Sequence, residues 1–131
     1  MGKQSASGII ARIIRAIKRR IEHRFILHKA RDRSMHFVQS SSPGNLLVLC
    51  YGNIYRSPFV ANYLKKLLAD REDICIKSAG FYPKSDRPSV EEFVILCKEY
   101  GVDLTAHRST VVNNEMLEWA DIIIIMDRKN W

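Results

Sequence analysis

Cys50 closes the apolar run Asn45–Cys50 (NLLVLC) and is followed by Tyr51-Gly52-Asn53-Ile54-Tyr55 and then Arg56-Ser57-Pro58. These residue types, in this order, suit the capture of an anion. Gly52 lets a backbone turn tightly, and Asn53 is among the few residues that tolerate a left-handed conformation. Successive N–H groups in such a turn can converge into an anion nest. Pro58 sits where the first turn of a helix tolerates it, and the helix N-terminus adds about half a positive charge. Arg56 offers a planar fork that matches two oxygens of a phosphate. At the base of such a pocket Cys50 is expected to be largely thiolate near neutral pH, a nucleophile aimed at phosphorus. The Ser57 hydroxyl can hydrogen-bond the sulfur and stabilise it as it leaves. The plainer reading is a buried core cysteine beside a surface arginine. Tyr51 and Tyr55 either flank an aromatic substrate or simply pack. The rival phosphate motif Gly-x4-Gly-Lys-Ser/Thr is absent, so nucleotide hydrolysis is not indicated.

The loop needs a strand before it and a helix after it, and the flanking pattern supplies both. Asn45–Cys50 reads as a buried parallel strand. Ala61, Leu64, Leu67 and Leu68 give the following helix an inner face. Asp73–Lys77 (DICIK) predicts a second strand, ending in Ser78-Ala79-Gly80. Pro88–Tyr100 predicts a helix with Ser89 and Glu92 as a capping box and Gly101 as its stop. Asn113 or Asn114 can cap a short helix through Trp119, and Asp121–Met126 (DIIIIM) predicts a third strand. The order β-α-β-α-α-β implies a three-layer α/β/α domain with a parallel sheet. Ligands of such sheets bind beyond the carboxyl ends of the strands, where the Cys50 loop falls.

The chain of 131 residues is 47% hydrophobic and 27% charged, an ordinary globular composition. Its net charge of +7 is unevenly placed. Residues 1–40 carry ten Lys/Arg against Glu22 and Asp32, a net of +8, whereas residues 41–131 carry eleven against twelve acids, a net of −1. A basic arm (1–40), a helix-breaking linker (41–44) and an α/β domain (45–131) are therefore expected, with Ser40 to Gly44 marking the joint. Ile9, Ile10, Ile13, Ile14, Ile17, Ile21 and Phe25 recur at helical spacing. Arg12, Arg15, Lys18, Arg19 and Arg20 fill much of the remaining circumference, and Ser5 or Ser7 is placed to cap the helix. Four occupants suit this arm: its own domain or a second copy, an anionic membrane surface along residues 9–33, a partner groove, or nucleic acid. Nucleic acid fits least, because the arm has no aromatic interleaving and no zinc-ligand spacing. His23, His28 and His36 are too loosely spaced for a metal site and read as solvated. Three cysteines, Cys50, Cys75 and Cys97, argue against a disulfide-stapled secreted domain and suit a reducing cytosol. No apolar run approaches the ~20 residues that span a bilayer, and Arg12, Arg15 and Lys18 interrupt any signal-peptide core.

Cys50-Tyr-Gly-Asn-Ile-Tyr-Arg-Ser-Pro58 resembles the catalytic loop of the low-molecular-weight protein tyrosine phosphatases, Cys-x-Gly-Asn-x-x-Arg-Ser-Pro. The resemblance continues at Ser78–Gly80 (SAG), Arg87–Ser89 (RPS), Gly101–Leu104 with Ala106–Arg108, and Met126–Asn130 (MDRKN). It implies a two-step mechanism: Cys50 attacks phosphotyrosyl phosphorus, and water hydrolyses the cysteinyl-phosphate. Arg56 and the loop amides would bind the equatorial oxygens, with no metal and no cofactor. Asn53, Ser57 and His107 would fix the loop, and Asp127 would support it. The implied partner is a tyrosine-phosphorylated protein, such as a bacterial-type tyrosine kinase, in the cytoplasm or peripheral at a membrane.

Two departures follow. The loop position where many relatives carry a second cysteine is Tyr55, so a protective loop disulfide is not expected, and Cys75 and Cys97 read as core residues. The family's general acid belongs to an Asp-Pro loop further along, but no Asp-Pro dipeptide occurs here, nor any counterpart of the family's fourth strand and final helix. Loss of a general acid typically costs about 10²–10⁴-fold in rate. Asp127 is the only carboxylate obviously at the sheet's carboxyl end. It can stand in as acid or, as in relatives, support the loop. The open alternatives are a weak or inactive phosphatase that binds phosphate or a partner, and an arsenate reductase, which normally needs a resolving cysteine pair.

Overall fold

The computed structural model describes residues 6–40 and 42–126. The chain divides into two compact units, Met1–Ser42 and Pro43–Trp131. The first contains one helix, α1 (Ala6–Ser40), of 35 residues. Ser7 lies inside it; Ser5 lies outside the described residues. No helix among the described residues is long and apolar enough to cross a membrane.

The second unit runs β1 (Asn45–Cys50), α2 (Arg56–Leu67), β2 (Cys75–Gly80), α3 (Glu91–Glu99), α4 (Asn114–Trp119) and β3 (Ile122–Ile125). The three strands are parallel in the order β2-β1-β3. β1 pairs Asn45 with Cys75 through Cys50 with Gly80 on one side, and Leu46 with Ile122 through Leu49 with Ile125 on the other. A central strand covered on both faces has no polar side, and NLLVLC accordingly reads as an unbroken apolar run. Leu47, Leu49 and Ala79 pack with Phe81, Met116 and Trp119 on the face that α4 covers. Val48 and Ile76 pack with Ala61, Val60 and Leu64 of α2 on the opposite face. The three layers are those expected of the β-α-β pattern.

Local chemistry sets the element ends. Asp121 Oδ2 accepts from the backbone N–H groups of Gly44 and Asn45 at 2.9 and 2.8 Å, tying the entrance of β1 to that of β3. Gly101 follows α3 at φ +71, with Val102 N–H bonded to Cys97 O at 3.0 Å and Gly101 N–H to Lys98 O at 2.9 Å. That bond pair is a Schellman stop, and its apolar contact is supplied by Cys97 and Val102 in one cluster. Asn113 caps α4, its side chain accepting from Met116 N–H at 2.9 Å.

Three expectations are corrected. β2 begins at Cys75 rather than Asp73, because Arg71 and Asp73 are held in a turn by a 2.8 Å ion pair, and it continues through Gly80. The capping box at Ser89 and Glu92 does not form: α3 starts at Glu91 behind Val90, which makes no side-chain cap. Pro88 instead bridges Arg108 in an antiparallel pair, and Ser89 Oγ is left buried without a partner. Cys97 is core, but Cys75 is exposed, standing at the first position of an edge strand.

Candidate active site

β1 delivers Cys50 to the carboxyl end of the sheet, where it is buried. The chain then turns through Tyr51–Tyr55 and enters α2 at Arg56, with no side-chain cap at the helix start. The turn depends on Asn53, which takes a left-handed φ of 51°. Gly52, expected to let the backbone turn tightly, has no left-handed φ, and the nearest atom a Cβ there would meet is Ile54 Cγ1 at 3.5 Å. Asparagine tolerates this left-handed backbone, and its side chain is held there by Ser57, Ser78 and Thr110.

Asn53 is fully buried and is the hub of the loop. Its N–H donates to Cys50 Sγ at 3.2 Å. Its Nδ2 donates to Ser57 Oγ at 2.9 Å and Ser78 Oγ at 3.0 Å, and its Oδ1 accepts from Thr110 N–H at 2.8 Å. Its carbonyl lies 2.8 Å from His107 Nε2; a carbonyl only accepts, so Nε2 carries the proton. Ser57 Oγ stands 3.0 Å from Cys50 Sγ. Either atom of that pair can donate, since the hydroxyl oxygen accepts from Asn53 with one of its two lone pairs, and its proton can also reach the Ala79 carbonyl at 3.4 Å. A backbone N–H and a hydroxyl group therefore converge on the sulfur.

Arg56 is the first residue of α2, and its Nη1 donates to Met126 O at 3.2 Å, linking the loop to the end of β3. Tyr51 and Tyr55 are 52% and 41% exposed, enough to present ring surface to a ligand. Each leans edge-on against a second aromatic, Tyr51 on Tyr82 at 5.7 Å and Tyr55 on Phe93 at 5.1 Å. Ile54 is half-buried. Asp127 lies outside the described residues, as does all of MDRKN beyond Met126.

Four residues of the site were not assigned roles from sequence. Ser78 and Thr110 bind the two ends of the Asn53 amide. Gly80 lies so close under the loop that a Cβ would stand 2.8 Å from Tyr51 O and 2.9 Å from Asn53 N. Arg87 donates from Nη2 to Gly52 O and from Nε to Lys84 O at 3.0 Å, with its guanidinium 4.3 Å from the Tyr82 ring centroid. Ser78, Gly80 and Arg87 fall within the SAG and RPS stretches, the signal that could have marked them.

A parallel α/β domain whose first strand ends in a cysteine, with a buried asparagine hub and an arginine opening the next helix, defines a class of anion-loop protein. The chain belongs to the low molecular weight phosphotyrosine protein phosphatase family, whose model matches residues 45–131. It is 34% identical over 84 residues to the low molecular weight protein-tyrosine-phosphatase Ptp of Acinetobacter johnsonii, a match covering 64% of this chain and 57% of that one. It is 37% identical over 86 residues to a protein-arginine-phosphatase of Geobacillus stearothermophilus, covering 64% and 55%. Among solved structures it resembles Vibrio vulnificus Wzb in complex with benzylphosphonate, with a TM-score of 0.60 and 28% identity over 66% of this chain and 60% of that one. The chain thus spans a little over half the length of the curated relatives it matches.

Proposed function

We propose that the protein is a phosphotyrosine phosphatase working through a cysteinyl-phosphate. The observation that carries this is the convergence of Asn53 N–H and the Ser57 hydroxyl on Cys50 Sγ, at 3.2 and 3.0 Å, at the mouth of a strand-to-helix turn that Arg56 closes. Cys50 Sγ attacks phosphorus as the P–O bond to the aryl group breaks. The departing phenolate takes a proton from water or an acid. Water then attacks the same phosphorus, the P–S bond breaks, and inorganic phosphate and the thiolate are released. Arg56 and the loop amides bind the equatorial oxygens in both steps, where charge accumulates. Asn53, His107 and Ser57 hold the loop. Asp127, which lies outside the described residues, takes the supporting role that the family resemblance implies. Tyr51 and Tyr55 flank the substrate ring.

The substrate is a tyrosine-phosphorylated protein, with a bacterial-type tyrosine kinase as the partner of choice. The three free cysteines, Cys50, Cys75 and Cys97, suit a reducing cytoplasm. An arsenate reductase would need a resolving pair, and Cys97 is 1% exposed.

The test is hydrolysis of p-nitrophenyl phosphate and of phosphoarginine by the purified chain, beside Cys50→Ser, with binding of inorganic phosphate measured in parallel. Aryl phosphate turnover that vanishes in Cys50→Ser supports the proposal. Preference for phosphoarginine overturns the substrate assignment. Phosphate binding without turnover reduces the protein to a phosphate-binding module.

A further inference from the structure

α1 is one continuous helix, yet its sequence changes character halfway along. At 100° per residue, Ile13, Ile14, Ile17, Ile21 and Phe25 fall within an arc of about 120°. Beyond Phe25 the same arc carries His28, Arg31 and Asp32 before a lone Met35, and Arg24 enters it at the last turn of the stripe. The apolar face is therefore confined to the first part of the helix. Around it, Lys18 and Arg20 stand at the two borders of the stripe, and Arg12 and Arg15 lie opposite. Residues 12–25 hold six Lys/Arg against one acid, Glu22, which Lys18 engages at 3.9 Å. Among its described residues, the unit Met1–Ser42 has no second element with which to bury the stripe.

We propose that residues 9–25 dock on an anionic lipid surface, lying in the interface with the isoleucine stripe among the acyl chains and the basic residues at the headgroups, while residues 26–40 take no part. Charge complementarity selects this occupant. The arm has a net charge of +8, and an anionic headgroup layer is the surface that such a charge favours. Lys18 and Arg20, bordering the apolar arc, can extend their stems along it and leave their charged ends at headgroup level. A second copy is disfavoured on two counts. The heptad Ile10, Ile14, Ile17, Ile21 lasts two repeats before Arg24, His28 and Arg31 break it, short of the three or four that a coiled coil needs. Two such arms also bring like charge together, without the acidic partners that would pair it. The remaining chain, at a net of −1, offers the arm little complementary charge. The helix is too charged to cross a bilayer, so it lies on the surface. None of this depends on the phosphatase reading.

The test is flotation of the full chain with vesicles of phosphatidylcholine, with and without a third of phosphatidylglycerol, at about 0.1 M and about 0.5 M salt. Co-flotation with the anionic vesicles alone, released by salt, is expected. Lys18→Gln with Arg20→Gln should weaken the partition about 30-fold, at roughly five-fold per charge. Ile14→Asn with Ile17→Asn should weaken it at least about ten-fold, and Arg31→Gln with Arg33→Gln less than about two-fold. Circular dichroism of each variant, matching the parent, establishes that the helix and domain are intact. Absence of flotation by the folded parent overturns the proposal, as does equal binding to neutral vesicles. A concentration-dependent dimer without vesicle binding assigns the stripe to a second copy. Retention on an oligonucleotide without vesicle binding assigns the charge to nucleic acid.

Discussion

Gly80→Ala isolates the fit between the sheet and the loop above it. Gly80 has no left-handed φ, so alanine suits its backbone and the substitution acts through volume alone. The added Cβ would stand 2.8 Å from Tyr51 O, 2.9 Å from Asn53 N and 3.0 Å from Asn53 Cβ, whereas ordinary contact begins at 3.4 Å. Something must move by about 0.6 Å. Gly80 cannot retreat: its N–H donates to Thr110 O and its carbonyl accepts from Val112 N–H, both at 2.9 Å, while its strand is in register with Cys50. The loop therefore gives way, and its Asn53 N–H shifts off Cys50 Sγ. Overpacking of this kind costs about 1–3 kcal/mol, a fall in Tm of about 4–8 °C per kcal/mol in a domain of this size. If 1 Å of misplacement costs about 10²-fold, a 0.6 Å shift should cost about ten-fold in aryl phosphate turnover, with a parallel loss in affinity for inorganic phosphate. The assay pairs thermal unfolding with phosphate titration. Gly52→Ala is the control for stability, since its Cβ meets Ile54 Cγ1 at an ordinary 3.5 Å. A Gly80→Ala protein that melts within a degree of the parent and binds phosphate equally well would refute the account of a loop resting on Gly80.

Asn53→Ala removes three side-chain hydrogen bonds from a fully buried residue and puts alanine in a left-handed conformation, so urea unfolding should show a loss of about 3–5 kcal/mol; Ser78→Ala, which loses one bond, should lose about 1 kcal/mol. Limited alkylation mapped by mass should label exposed Cys75 first and Cys97 last, because Cys97 is buried and burial pushes its thiol pKa up; inorganic phosphate should protect Cys50 and leave Cys75 unaffected. The Arg71 guanidinium holds the Asp73 carboxyl below the usual carboxylate range, and the Thr105 hydroxyl and amide do the same for Asp103. A depressed folded pKa contributes stability that is present above the unfolded carboxylate value and is lost as pH falls through the folded one. Asp73→Asn with Asp103→Asn should therefore flatten the acid limb of the stability profile below about pH 4 and leave stability at neutral pH lower.

The nine residues from Cys50 to Pro58 announced the loop because its nucleophile, pivot, hydroxyl and cation are contiguous, and local spacing is what a sequence displays. Its supports are not contiguous. Ser78, Arg87, His107 and Thr110 lie 25, 35, 54 and 57 residues from the loop atoms they bind, and no periodicity links them. His107 stands out only through the resemblance, and the RPS stretch that contains Arg87 gives it no role by itself. The apparent capping box at Ser89 and Glu92 failed for a related reason. A backbone bridge between Pro88 and Arg108 outweighed the local signal. Cys75 looked like core because its strand is apolar, but it occupies the first position of an edge strand, where one neighbour is missing.

The reach of the Asn53 hub also sets when the chain can become reactive. β1, the turn and α2 emerge together during synthesis, but the bonds that orient the turn come from Ser78, His107 and Thr110, made much later. Closing loops of that length is an entropic cost that has to be met before those bonds can form. A nascent chain ending near residue 100 would thus carry the thiol and the arginine without the His107 and Thr110 bonds that hold Asn53. The nucleophile stays incompletely directed until His107 and Thr110 have joined it, so assembly order itself delays the chemistry until the fold can control it.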